Sequence, residues 1–204
     1  MHLKGATEWS SRGEATDSLE FFDDVARLVN EIGRTLCVAL DVGHAAVCVV
    51  TPATRDLLEK QLRDRGIDVE AVRGQGQYVF LDATETLEEI APNGNSPDAS
   101  RFDAKIGGLV EGLATRHPGV WMYGELAGLM WMAGNETGAV ELDKMWTAFA
   151  DTHPVCLCVA FPLEALSHPV IMDAVHQVVA DQIRTLANGS PLALAVRHGP
   201  LGAE

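Results

Sequence analysis

Four short apolar runs punctuate this chain with almost no polar residue inside them: Ala45–Val50, Tyr78–Leu81, Val120–Tyr123 and Val155–Phe161. Successive side chains of a strand point to opposite faces, so a strand with one wet face alternates apolar and polar residues. Runs without that alternation suit strands covered on both faces, as in a parallel sheet held between helices. The intervening segments have helical spacing. Phe21, Val25, Leu28, Val29, Ile32 and Leu36 fall on one face, which predicts a helix from Phe21 capped by Asp17 or Ser18. Thr51-Pro52 reads as a cap followed by a first-turn proline, and Gly66 as the stop of that helix. Further helices are expected on Phe102, Ile106, Leu109, Val110 and Leu113, from Gly124-Glu125 to Gly134-Asn135, and on Leu142, Met145, Trp146 and Phe149. A last helix is expected over 169–186, with an edge strand at 192–196.

Strands alternating with helices of this length define the α/β class: a three-layer α/β/α domain on a mainly parallel sheet with right-handed crossovers. With 204 residues, 47% of them hydrophobic, the chain can bury one sizeable core. Residues 1–16 lack periodicity and read as a flexible N-terminal arm, 17–187 as the domain, and 188–204 as a tail or edge strand.

Charge and missing motifs exclude several function classes. Fifteen Lys and Arg against 29 Asp and Glu give a formal charge of −14, which repels phosphate backbones and anionic lipid. Direct nucleic-acid binding is therefore not expected. No apolar run approaches the roughly 20 residues needed to span a bilayer, and the polar N-terminus does not read as a signal peptide. Cys37, Cys48, Cys156 and Cys158 form no C-x-x-C pair, which favours reduced thiols and a cytoplasmic setting. Neither G-x-x-x-x-G-K-[ST] nor G-x-G-x-x-G occurs. Gly74-Gln75-Gly76 lies before a strand with no lysine after it and reads as a tight turn. The histidines at 44, 117, 153, 168, 176 and 198 make no metal-ligand pattern, and no Ser-His-Asp or Cys-His set is legible. The expectation is no enzyme, no cofactor and no metal.

One residue type is out of keeping with its surroundings. Glu125 follows a buried strand directly, at the carboxyl edge where open α/β sheets bind ligands. A carboxylate there can act as a base, hold a metal, or cap the helix beginning at Leu126, whose N-terminus favours negative charge. Around it, Trp121, Met122, Tyr123, Met130, Trp131 and Met132 supply either core packing or the aromatic wall of an apolar pocket.

Taken in order, Phe21-Phe22-Asp23-Asp24, Gly43-His44-Ala45 through Thr51-Pro52, Gly66-Ile67-Asp68-Val69 and Leu81-Asp82-Ala83 resemble one family. Tyr123-Gly124-Glu125-Leu126, Trp131 with Gly134-Asn135, Leu142-Asp143-Lys144-Met145-Trp146 and Cys156 to Pro162 continue the likeness. The family is the MEDS domain, the methanogen/methylotroph DcmR-type sensory domain, and the likeness covers about residues 17–187. It implies a KaiC-like or RecA-like sheet with a degenerate P-loop, and a sensory role beside DNA-binding, histidine-kinase or sigma-factor-regulating modules. It also implies Phe22 and Asp23 as ligand-binding residues beside Glu125, Tyr123, Trp131 and Trp146. Three positions depart from the family pattern: Asp17 stands for a histidine, Phe22 for a tyrosine and Asp143 for a glutamate.

Three functions compete. The first is a stand-alone sensory domain that binds a small, mostly apolar ligand and signals to a separate effector, whether kinase, sigma-factor regulator or transcription factor. The second is an interaction or scaffold protein working through homo-oligomers or docking, and the third an enzyme using Glu125 and one histidine. The missing phosphate loop and the −14 charge carry a first prediction. Calorimetry with ATP and GTP should show no affinity tighter than millimolar, and the purified chain should give no sequence-dependent gel shift at physiological salt.

Overall fold

The computed structural model describes residues 18–22 and 25–162. In chain order these form β1 (Ser18–Phe22), α1 (Val25–Asp41), β2 (Ala45–Val50), α2 (Pro52–Asp64), α3 (Val69–Gly74), β3 (Tyr78–Asp82) and α4 (Ala83–Ile90). A 3₁₀ turn (Pro92–Gly94), α5 (Ala99–Phe102), a π-helical stretch (Asp103–Gly107) and α6 (Gly108–Ala114) follow. The remainder is β4 (Val120–Gly124), α7 (Leu126–Met132), α8 (Glu136–Ala150) and β5 (Val155–Pro162). The strands make a five-stranded sheet in the order β1-β5-β4-β2-β3, every pair parallel.

Alternation along each strand sends its side chains into two separate cores. Ala46, Cys48 and Val50 of β2 join Trp121, Tyr123, Cys156 and Cys158 beneath α1, α2 and α3, with Leu36, Leu58 and Leu62 fully covered. Ala45, Val47 and Val49 join Met122, Leu157 and Val159 on the other face, beneath α4 to α8. All six side chains of β2 are buried, as its unbroken apolar run requires. α1 and α2 approach closely where Gly33 faces Gln61: a Cβ added at Gly33 would stand 3.0 Å from the Gln61 Cβ.

Local signals operate as the residues dictate. Thr51 caps α2, its Oγ1 accepting from the Thr54 amide, and Pro52 opens the first turn. Gly66 takes φ +89°, a left-handed conformation that glycine adopts without strain, and ends the turn after α2. Gly76 does the same at φ +68° in the turn before β3.

The structure corrects the start of the domain. Ser18–Phe22 is a strand paired with β5, and the helix begins only at Val25. Ser18 thus belongs to a strand and not to the start of that helix, and Asp17 lies outside the described residues. Phe21 satisfies both the helical spacing and a five-residue strand, and periodicity does not separate the two over so short a run. The helix expected around Phe102 to Leu113 is three consecutive pieces, with π-type winding at 103–107. The arm 1–16, the helix expected at 169–186 and the edge strand at 192–196 lie outside the described residues.

Gly138 fixes how α8 begins. A Cβ there would meet the Asn135 amide at 2.6 Å and the Met130 Cε at 2.5 Å. Asn135 caps α8 through Oδ1, which accepts from the Gly138 amide at 2.9 Å. Gly138→Ala should therefore lower the unfolding free energy by about 1–2 kcal/mol through a displaced cap and overpacking, read from urea midpoints at unchanged m.

Candidate functional site

Two adjacent strands part company at their carboxyl ends. The chain leaving β2 enters α2 on one face of the sheet, whereas the chain leaving β4 enters α7 on the other. That divergence is a topological switch point, the place where open α/β sheets leave a crevice for ligands. Glu125 stands in it. Its amide prolongs the ladder by donating to the Val49 carbonyl (3.0 Å), and its carboxylate then reaches across to β2. There Oε2 accepts from the Thr51 amide at 3.1 Å, and Oε1 accepts from the Tyr123 hydroxyl at 3.4 Å.

This corrects the role expected for Glu125 as a cap. The carboxylate makes no bond to the amides of α7, the helix it precedes. It sits instead at the N-terminus of α2, where a free amide and the helix dipole favour an anion. Thr51 and Thr54 complete the surroundings: the Thr51 hydroxyl donates to Thr54 Oγ1 (3.1 Å), and the Thr54 hydroxyl lies in hydrogen-bonding reach of Glu125. Thr54 is buried. Among the described residues no Lys or Arg forms an ion pair with Glu125. Burial pushes its carboxyl above the ordinary range, against the pull of the Thr51 amide and the two hydroxyls. Burial, and then the Glu125 charge, push the Tyr123 phenol well up, so it stays a neutral donor.

The sheet divides the other expected site residues. Tyr123 points into the α1–α2 layer, stacked on Trp121 at 6.5 Å, with Cys48 and Cys158 on either side in register. Trp146 and Trp131 belong to the opposite layer. The Trp146 indole meets Phe102 edge-on at 4.6 Å and lies under Gly124. Its buried N–H finds no acceptor among the described residues. Asp143 precedes it by one turn of α8, half-buried, and burial raises its carboxyl to about 6 against the pull of Lys144. Phe22 ends β1 opposite Pro162, with β5 between it and β4. Asp23 lies outside the described residues. Thr51 and Thr54 were missed as site residues: their cap was legible, but not that β2 borders β4.

Other chemistry is sparse. Cys37, Cys48, Cys156 and Cys158 are buried and form no disulfide, and burial raises Cys37 and Cys48, away from the nucleophilic thiolate. His153 stacks on Phe149 at 3.9 Å, and His117 Nδ1 lies 3.2 Å from the Gly43 carbonyl. Among the described residues no three His, Cys, Asp or Glu side chains cluster as metal ligands. No described helix is long and apolar enough to cross a membrane.

The parallel sheet held between two helical layers defines a three-layer α/β/α domain with a carboxylate at its switch point. The family model for MEDS, the methanogen/methylotroph, DcmR sensory domain, matches residues 19–177. The chain belongs to that family, and a sensory or regulatory role follows. Comparison with curated proteins and with solved structures found no match.

Both raised carboxyls make the same kind of pH dependence. Each binds its proton more tightly folded than unfolded, so its contribution falls as pH rises from the unfolded value through the folded one. For Asp143 that window runs from 3.8 to about 6. Asp143→Asn should raise stability at pH 7 by at most about 3 kcal/mol and flatten the stability–pH curve between pH 4 and 6. Glu125→Gln keeps an oxygen for the Thr51 amide while removing the desolvated charge. It should leave the apo protein as stable as wild type or more so at pH 7, read by urea unfolding at several pH values.

Proposed function

We propose that this sensory domain binds a small, mostly apolar molecule at the switch point, without chemical turnover. The ligand's state would pass to an effector, a kinase, sigma-factor regulator or transcription factor. The observation that carries this reading is the Glu125 carboxylate: half-buried, held only by neutral donors among the described residues, and set where two helices diverge. A carboxylate in that state favours any ligand that brings a donor to it. The ligand is therefore an apolar body with one hydroxyl or amine, Glu125 being its polar anchor and Tyr123 its neighbouring donor. The absence of a phosphate-loop motif and the acidic balance support a non-nucleotide ligand. Trp146 and Trp131 would act from the far layer, through Gly124, rather than as walls beside Tyr123.

A thermal-shift screen of short-chain alcohols and amines, with nucleotides and haem as controls, tests this directly. Wild type should be stabilised by a subset of the alcohols or amines. Glu125→Gln should lose that stabilisation while its apo melting temperature holds or rises. A Glu125→Gln protein that responds to every hit as wild type does would remove Glu125 from the site and leave the scaffold reading.

A further inference from the structure

β3 closes one side of the sheet, and among the described residues no strand lies beyond it. The Ala46 amide donates to the Gln77 carbonyl (2.8 Å). In a parallel ladder the groups of alternate residues face opposite sides, so the N–H and C=O of Tyr78 and Phe80 face outward. No proline, lysine or arginine within Tyr78–Asp82 blunts this edge, the usual protection against pairing with another chain. Val79, Phe80 and Leu81 are only half-buried. A cavity of about 400 Å³ runs beside them, lined by Arg55, Arg73, Gly76, Tyr78, Val79 and Phe80.

The charges at the two ends of β3 are opposite. At its start, Arg116 Nη1 lies 3.3 Å from where a Gly76 Cβ would be, beside an Arg73 guanidinium that Glu59 and Glu70 already pair. At its finish stand Asp82 and, in the first turn of α4, Glu85. A strand with a basic start and an acidic finish is complementary to itself when reversed. We propose that β3 pairs antiparallel with β3 of a second copy of this chain, with Phe80 on the two-fold axis. The outward N–H and C=O of Phe80 then exchange both bonds with their copies, and the two half-buried rings cover each other. Tyr78 lies opposite Asp82, and Gly76 lies opposite Thr84, bringing Arg116 to Glu85. The contact is isologous and closes at two copies. A net charge of −14 on each chain opposes association, so the local complementarity at β3 decides it.

Sedimentation velocity on the full chain tests the proposal independently of any ligand. The expected result is a species of twice the 21.9 kDa chain mass. Arg116 and Glu85 are exposed, so R116E and E85R should keep the wild-type melting temperature. Each should raise the dimer dissociation constant about 3- to 30-fold, since two equivalent contacts turn repulsive. The double variant R116E/E85R should recover near wild-type affinity, which a merely structural effect would not give. Phe80→Asp, which sets two carboxylates on the axis, should be monomeric, its fold checked by circular dichroism. A monomer at every concentration would overturn the proposal and point to an edge covered within the chain or by a different partner. A dimer indifferent to both charge reversals would overturn it equally.

Discussion

Everything in this domain hangs on a sheet whose strands all run the same way. Parallel neighbours need crossovers, crossovers lay helices over the faces, and helices on both faces require strands with no wet side. Val47 and Cys48 show the consequence, adjacent in sequence and buried in different cores. Because every strand points its carboxyl end to one edge, Val50, Asp82 and Gly124 deliver their following residues to a common rim. α2 turns to one face there and α7 to the other. The place of Glu125 at the switch point is a result of chain direction before it is a result of any particular side chain.

Two carboxylates, one buried and one half-buried, show how differently such a group can be satisfied. Glu59 on α2 is 6% exposed and is matched by Arg63 at 3.2 Å and by Arg73, with Arg55 at 3.8 Å. Charges removed from water are tolerable when paired in this way, and Glu59 serves to tie α2 to Arg73 beside the edge strand. Glu125 has an amide and hydroxyls instead. Those donors orient it without neutralising it, which leaves a free-energy gain for whatever brings it a proton or a better donor.

The strands β2, β4 and β5 were legible because full burial writes itself as an unbroken apolar run. Thr51-Pro52 was legible because capping is local chemistry. Glu125 was legible as a polar residue directly after such a run. Which helix it serves was not, since that depends on β2 lying beside β4, a long-range fact with no local signature. For the same reason the sequence does not show that Tyr123 faces one layer while Trp131 and Trp146 lie in the other. Strand parity assigns Tyr123 a face, but the layer of α7 and α8 follows only from the direction of each crossover. At β1 the failure was of another kind: five residues are too few for a period of two to be told from 3.6.

One helix touches both Glu125 and the sheet edge. The N-terminus of α2 is held by Glu125 at Thr51, with Thr54 alongside. One residue later Arg55 lies over the Phe80 ring at 4.8 Å, and a turn further Glu59 grips Arg73 above Tyr78. A ligand that displaces Thr51 from Glu125 would therefore act on the helix that furnishes the β3 groove. Coupling of that kind is reciprocal: whatever factor the ligand applies to pairing at β3, pairing must apply to the ligand's affinity. It also requires that the ligand distinguish two positions of α2, because equal affinity for both shifts nothing. In the proposed mechanism the bond from the Thr51 amide to Glu125 would be the contact that differs between those positions, and its strength would bound the coupling.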